Sequence, residues 1–251
     1  MEFLNTYAWI GVLLFARLAA VLMVAPGWGE QAAPPTLRLG LAVLVTATLA
    51  PTLAVSTPRL PASIVMAIPM ILSEIMIGII LGLGARIMMS ALQVAGATAG
   101  IASGLGFAQQ IDPIASQPAA IFSGFFSLMG VVLLMSAGLH RVMIEAAADS
   151  YKLFPPGAFP PIGDATEFMI EAVSTSFRLG IQIAAPVLIF SLIFNVALGL
   201  VSRLIPQVQV FMTAMPLSVL MGVAMIALGL GGGMMVWLDA METQMRLLTV
   251  Q

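Results

Sequence analysis

Polar positions are sparse along this chain, and they divide it into about six long apolar runs. These runs lie at about 7–25, 37–54, 64–89, 118–139, 173–201 and 208–238. A helix needs about 20 mostly apolar residues to cross the roughly 30 Å hydrocarbon core of a bilayer. The pattern therefore predicts an all-α, polytopic membrane protein with about six long apolar helices.

Charged side chains interrupt some of these runs. Arg17 lies in the middle of the first run and Glu74 in the middle of the third. A charge at the centre of a membrane helix costs about 2.5–3.5 kcal/mol on insertion scales, so both residues need protein partners or water. Three alternatives remain open: an internal pair, contacts with other subunits, or a proton or ion relay. Arg86, Asn195 and Arg203 are further candidates for inter-subunit or internal polar contacts.

The stretch 90–117 has a different character, because Gly, Ala, Ser and Gln dominate it. Gly96, Gly100 and Gly104 recur at a spacing of four, which puts small residues on one helical face and favours close helix packing. The pattern from 104 to 117 predicts a loop. At membrane depth, such an irregular backbone must be buried in protein or line a wet cavity.

Two other features shape the second half of the chain. The segment 145–171 is the most hydrophilic one, and we interpret it as a solvated connection. Prolines predict bends near the last two runs: Pro186 inside the fifth, Pro216 inside the sixth and Pro206 in the turn between them.

Composition changes the picture mainly by exclusion. Hydrophobic residues make up 61% and charged residues 8% of the 251 positions, against about 25% charged in soluble domains. The net charge of −2 offers no basic surface for nucleic acid. The chain has no cysteine and one histidine, His140, which argues against disulfides and metal sites. We therefore expect no cofactor, no metal and no nucleic-acid partner.

Two function classes can be weighed from the residues alone. The chain has no nucleophile elbow, phosphate loop or metal cluster, so we expect no enzyme. A small-molecule or ion transporter would use Arg17, Glu74 and the irregular 90–117 stretch as a broken-helix site. That class predicts matched broken helices in two halves, and the sequence shows none.

Three segments follow one another along the chain: SGLGFAQQIDPIASQ at 103–117, LMSAGLHRVMIEAAADSYKLFPPG at 134–157 and NVALGLVSRLIPQVQVF at 195–211. Taken in this order, they resemble the FliR family of the bacterial type III export gate. The likeness covers essentially the whole chain, although Gln209 stands where the family commonly has Asn. The GLGF and LGLVSR segments favour the flagellar branch over the injectisome branch.

The resemblance implies a non-enzymatic, channel-forming subunit of bent helical hairpins, with residues 1–251 as a single domain. It implies a place in the bacterial inner membrane, at the flagellar basal body. The implied partners are FliP-like and FliQ-like gate subunits, FlhB-like and FlhA-like proteins, membrane lipid and the unfolded flagellar proteins that pass through. It also implies a loop that plugs the closed pore, which we carry over to Gly104, Gly106, Phe107, Asp112, Pro113 and Gln117.

Overall fold

Helices form the regular structure of the described part of the chain. The structure is a computed structural model that describes residues 2–27, 34–53, 61, 63–105, 118–204 and 210–247. The helices are α1 (Glu2–Val24), α2 (Pro35–Leu53), α3 (Ile64–Gly100), α4 (Pro118–Ser136), α5 (Leu139–Leu153), α6 (Ile162–Leu204) and α7 (Val210–Arg246). A short π-helical turn, Ile101–Leu105, follows α3.

The predicted class, an all-α polytopic membrane protein, is confirmed, and the predicted count of about six long apolar helices is approximate. Four helices in the described ranges are long and apolar enough to cross a bilayer, and they lie in α1, α3, α6 and α7. Helices α4 and α5 would add a fifth, broken span, because the chain bends between them at Gly138, which has φ 76°. The apolar part of α2, Pro35–Pro51, is shorter.

Two helices extend beyond the apolar runs that predicted them. Helix α3 continues past Met89 to Gly100, and α6 begins at Ile162, before Asp164 and Glu167. The segment 145–171 is therefore largely helical, and only 154–161 lies outside the helices. The apolar runs are shorter than these helices because polar and charged residues interrupt an apolar run. A helix continues through such residues when its polar side is exposed.

The chain divides into two compact units, each made of separate stretches of sequence. Unit 1 contains residues 1–87, 134–173 and 241–251. Within it, α1 packs against both α2 and α5. Its buried core includes Leu13 and Leu14 of α1 and Ile77 of α3. This unit contains both charged residues that the sequence places inside apolar runs, Arg17 and Glu74.

Unit 2 contains residues 88–133 and 174–240. Trp237 of α7 is fully buried and donates a hydrogen bond from Nε1 to the carbonyl oxygen of Met88, at 2.9 Å. The hydroxyls of Ser90 and Ser176 are 3.1 Å apart and link α3 to α6. Helices α3, α4, α6 and α7 each continue across a boundary between the units, and the single-domain organisation stays a prediction.

The prolines that predict bends do not end their helices. Helix α6 is continuous through Pro186, and α7 is continuous through Pro216. Pro186 lies near α7, where a Cβ added at Gly229 would be 3.7 Å from its Cγ. Pro206 lies outside the described residues. Kinks at these three prolines stay a prediction.

Candidate functional site

A buried ion pair joins α1 to α3 in unit 1. The Nε of Arg17 donates to Oε2 of Glu74 at 2.7 Å, and both side chains have 0% exposure. Of the alternatives open from the sequence, the structure places the two charges against each other within the chain. A buried pair of this kind is favourable only if the remaining donors and acceptors are also satisfied.

Helix α5 and the turn after it supply the other partners of Arg17. Nη1 donates to Oγ of Ser150 and Nη2 to the carbonyl oxygen of Phe154, both at 3.0 Å. The guanidinium carbon lies 3.8 Å from the centroid of the Tyr151 ring, which is a cation–π geometry. Ser150 passes the network on by donating to the carbonyl oxygen of Ala147 at 2.7 Å.

The second carboxylate oxygen of Glu74 holds the turn that follows α5. Oε1 accepts a hydrogen bond from the backbone N–H of Gly157 at 2.7 Å. Gly157 has φ 79°, a left-handed conformation that glycine adopts without steric cost. A Cβ added there would lie 2.6 Å from Cε of Met70. The ion pair therefore fixes α1, α3, α5 and the 154–157 turn at one point, which we name the buried clasp.

Two glycines of α3 bring the clasp helices together. A Cβ added at Gly78 would overlap the carbonyl oxygen of Arg17 and lie 2.7 Å from Cβ of Ala20. One added at Gly82 would lie 2.9 Å from Cβ of Val24. This contact is not among the predictions from the sequence, although Glu74, Gly78 and Gly82 share one helical face at a spacing of four. That spacing is typical of close packing between membrane helices.

The clasp has the chemistry of a structural brace. Glu74 is the one buried carboxylate among the residues whose side chains the structure describes. Both of its oxygens accept hydrogen bonds, and all three nitrogens of the Arg17 guanidinium donate to protein acceptors. A binding site for a transported ion or solute needs polar groups that a ligand can reach, and this arrangement offers none.

The other candidate polar residues are dispersed. Arg86 is exposed on α3, and Arg203 is exposed in the last turn of α6. Asn195 is also exposed on α6, and its Nδ2 donates to Oγ of Ser191 at 3.2 Å. Asn195 lines a small cleft of unit 2 together with Gly104 and Ser218, so the structure brings Asn195 close to the start of the Gly-rich segment.

Of the three spaced glycines of the 90–117 stretch, Gly96 and Gly100 lie at the end of α3 and Gly104 lies in the π-helical turn that follows, and all three are buried. A Cβ added at Gly96 would lie 2.6 Å from both the carbonyl oxygen of Phe122 and Cα of Ser123, so α3 and α4 pack closely there. Gly100 accepts a hydrogen bond from the Ser103 hydroxyl at 2.8 Å. Gly104 leaves helical geometry with φ 91° and ψ −4°.

Most of the predicted plug loop cannot be compared with the structure. Five of its residues lie outside the described ranges, namely Gly106, Phe107, Asp112, Pro113 and Gln117. Gly104 is the one predicted plug residue that the structure describes. Its left-handed conformation departs from helical geometry at the position where the predicted loop begins.

The helices and the buried clasp define a class of protein: a polytopic α-helical membrane protein braced by an internal ion pair. Comparison with known protein families then identifies the family within this class. The sequence profile of "Bacterial export proteins, family 1" matches residues 8–244. The chain therefore belongs to this family, and within it to the FliR proteins, as the curated relatives indicate.

These relatives carry the name "Flagellar biosynthetic protein FliR". The protein of Caulobacter vibrioides is 38% identical over 231 residues, which cover 92% of each chain. That of Aquifex aeolicus is 34% identical, over 91% of this chain and 86% of its own. That of Escherichia coli K12 is 28% identical, over 90% and 85%. The FliR resemblance predicted from the three sequence segments is confirmed.

Proposed function

We propose that this chain is a channel-forming structural subunit of the flagellar type III export gate, in the bacterial inner membrane. The observation that carries the proposal is the family match over residues 8–244, together with FliR-named relatives that align along almost the whole chain. The relatives from Caulobacter vibrioides, Aquifex aeolicus and Escherichia coli are all flagellar by name, which favours the flagellar branch over the injectisome branch.

The surface of unit 2 supports a role as a subunit of a larger assembly. From Leu188 to Leu204, α6 has no buried residue, although it is largely apolar. Leu192 is 68% and Leu204 is 80% exposed. Contiguous exposed apolar surface of this kind marks contact with lipid or protein. We assign the protein partners as FliP-like and FliQ-like subunits, with FlhB-like and FlhA-like proteins at the gate and unfolded flagellar proteins as cargo.

The proposed plug is the Gly-rich segment from Gly104 to Gln117. Its support is the resemblance of the sequence to the family segment and the non-helical, left-handed conformation of Gly104 at the start of that segment. We expect that deleting residues 106–114 leaves assembly intact and makes the closed gate conduct ions. The measurement is ion conductance of the assembled gate with and without the deletion, and an unchanged conductance would remove the plug function.

A transporter function predicts a different behaviour on purification. A gate subunit should leave the membrane in mild detergent as a large complex with other small hydrophobic proteins. A transporter should purify alone or as a simple oligomer and bind a solute. The experiment is to tag this chain at its native locus, purify it and identify what accompanies it. Recovery of the tagged chain as a lone protein, together with normal export of flagellar proteins in a second strain that lacks the chain, would refute the proposal.

A further inference from the structure

Helix α6 is poorly covered by its own chain. Only 11% of its apolar window is buried, against 44% of the window of α1. The part from Leu188 to Leu204 belongs to unit 2 and has no buried residue. Lipid, water or further protein must therefore cover this part of α6. The side chains differ from one side of the helix to the other, and their chemistry distinguishes these three covers.

One side of this part of α6 carries polar and small residues, namely Ser191, Asn195, Gly199 and Ser202. At 3.6 residues per turn, these positions lie within about 80° of arc, and we name this side the Asn195 face. Nδ2 of Asn195 donates to Oγ of Ser191 at 3.2 Å. The Ser202 hydroxyl donates to the carbonyl oxygen of Gly199 at 2.9 Å, so its own helix provides its acceptor.

The Asn195 side chain argues against lipid as the cover of this face. A carboxamide has two donor hydrogens and an oxygen that accepts. The Asn195 side chain is exposed, and its one hydrogen bond within the described part of the chain is the bond to Ser191. Hydrocarbon would leave its second N–H and its oxygen without partners, which is costly. Polar side chains in membrane helices avoid this cost by facing protein or water.

The neighbours of the face argue against water. Leu192 and Val196 lie next to it on one side and are 68% and 58% exposed. Phe194 and Leu198 lie on the other side, in the cleft toward α7. Water would leave this apolar surface unburied, at a cost that grows with its area. The cover must therefore be apolar over most of its surface and able to form a hydrogen bond at Asn195.

A second membrane helix meets both requirements. Contacts between membrane helices combine apolar packing with small residues that allow close approach and polar side chains that bond across the contact. Gly199 lies one turn after Asn195, and a Cβ added there would have no described atom within 4 Å. The Asn195 face therefore offers a hydrogen-bonding group and, beside it, room for another backbone.

We propose that a membrane helix of a different gate subunit packs on the Asn195 face and carries a hydrogen-bonding side chain, such as Ser, Thr, Asn or Gln, opposite Asn195. This interaction surface rests on the proposed gate function. It goes further because it assigns one face of α6 to protein and states the chemistry of the partner. The partner side chain bonds the free positions of the carboxamide, and the partner backbone approaches at Gly199.

The first test uses the sign of a substitution in the assembled gate. Asn195→Leu should weaken association about 3- to 30-fold, the effect of losing one hydrogen bond between membrane helices. The measurement is the fraction of membrane-inserted chain that is recovered in the complex as detergent is raised. Asn195→Gln keeps a carboxamide and should retain more complex. A face covered by lipid would gain from Asn195→Leu, and a face covered by water would leave the fraction unchanged; either result overturns the proposal.

Ser191→Ala is the matched control for the bond inside α6. It removes the same internal hydrogen bond as Asn195→Leu and leaves the Asn195 carboxamide in place. We expect a smaller loss of complex from Ser191→Ala than from Asn195→Leu. Equal losses would show that the internal bond accounts for the effect, and the partner contact would be overturned.

The second test identifies the cover directly. The photo-reactive residue p-benzoylphenylalanine takes the place of Ser202, at the exposed end of the face, in the purified gate complex. The same residue in place of Ile193, which is 64% exposed on the far side of α6, is the control. We expect mass spectrometry to show a cross-link from 202 to a membrane helix of another subunit, with a different product from 193. Adducts with lipid alone, a cross-link within this chain or to a second copy of it, or no cross-link would overturn the proposal.

The two tests separate the interaction surface from the gate function. If the chain is not recovered with other subunits, the proposed gate function fails and the surface fails with it. If the complex forms and Asn195→Leu does not weaken it, the surface is overturned and the gate function stands. If Asn195→Leu does not reach the membrane, the cross-link from 202 decides alone.

Discussion

The buried clasp allows a quantitative test through a double-mutant cycle. Arg17→Met would leave the Glu74 carboxylate buried, and Glu74→Leu would leave the Arg17 guanidinium buried. Removing one partner of a buried ion pair typically costs about 3–5 kcal/mol, since the remaining charge has no counter-charge in a medium of low dielectric constant. Each single substitution should therefore destabilise the protein by about that amount.

The double substitution removes both charges together. Replacing a buried pair by apolar residues of similar volume is often neutral or stabilising by about 1–4 kcal/mol. Here it would also leave two backbone groups without their partners, the carbonyl of Phe154 and the N–H of Gly157. Each orphaned group costs about 1–3 kcal/mol. The double variant should therefore be about as stable as either single variant, far from the roughly 6–10 kcal/mol loss that two independent effects of this size would give.

The assay is thermal unfolding of the purified gate complex in detergent, with motility in soft agar as a second measurement. Glu242→Gln is the control, because Glu242 and Arg246 form an exposed ion pair at 2.8 Å, with side chains 43% and 58% exposed. An exposed pair contributes about 0–1 kcal/mol, so this variant should unfold close to the wild-type temperature. If the stability losses of the two single variants simply add in the double variant, Arg17 and Glu74 do not interact, and the assignment of the buried clasp is wrong.

Two further predictions concern the packing of each unit. In unit 1, Gly78→Ala should lower the unfolding temperature and the yield of assembled gate, because the added Cβ would lie 2.7 Å from the Cβ of Ala20. Gly40→Ala is the control, because a Cβ added at Gly40 has no neighbouring atom within 4 Å, and this variant should be neutral or slightly stabilising. In unit 2, Trp237→Ala should destabilise by about 3–5 kcal/mol, as expected for a large buried aromatic side chain. Trp237→Phe, which loses the hydrogen bond to Met88, should cost less, and equal unfolding temperatures for the two variants would contradict the buried position of the indole.

Local pattern determined the class of this protein and its family. Apolar runs such as the one from Ile64 onward specify membrane helices, because length and composition alone decide whether a segment can cross a bilayer. The three ordered segments were enough to indicate the FliR family, and the sequence comparisons confirmed it. The hydropathy pattern placed the start of α6 near Val173, whereas the helix begins at Ile162, because a helical backbone continues through polar residues that end an apolar run.

Only the tertiary structure decided which polar groups meet. The sequence showed that Arg17 and Glu74 needed partners, but they lie 57 positions apart, and Ser150 lies 133 positions from Arg17. Gly104 and Ser218 lie close together, and they too are separated by a long stretch of chain. Hydropathy and spacing are local properties of the chain, whereas these contacts depend on how helices distant in sequence pack side by side. That packing is set by close approaches at residues such as Gly78 and Gly96, where the lack of a side chain lets two backbones come together.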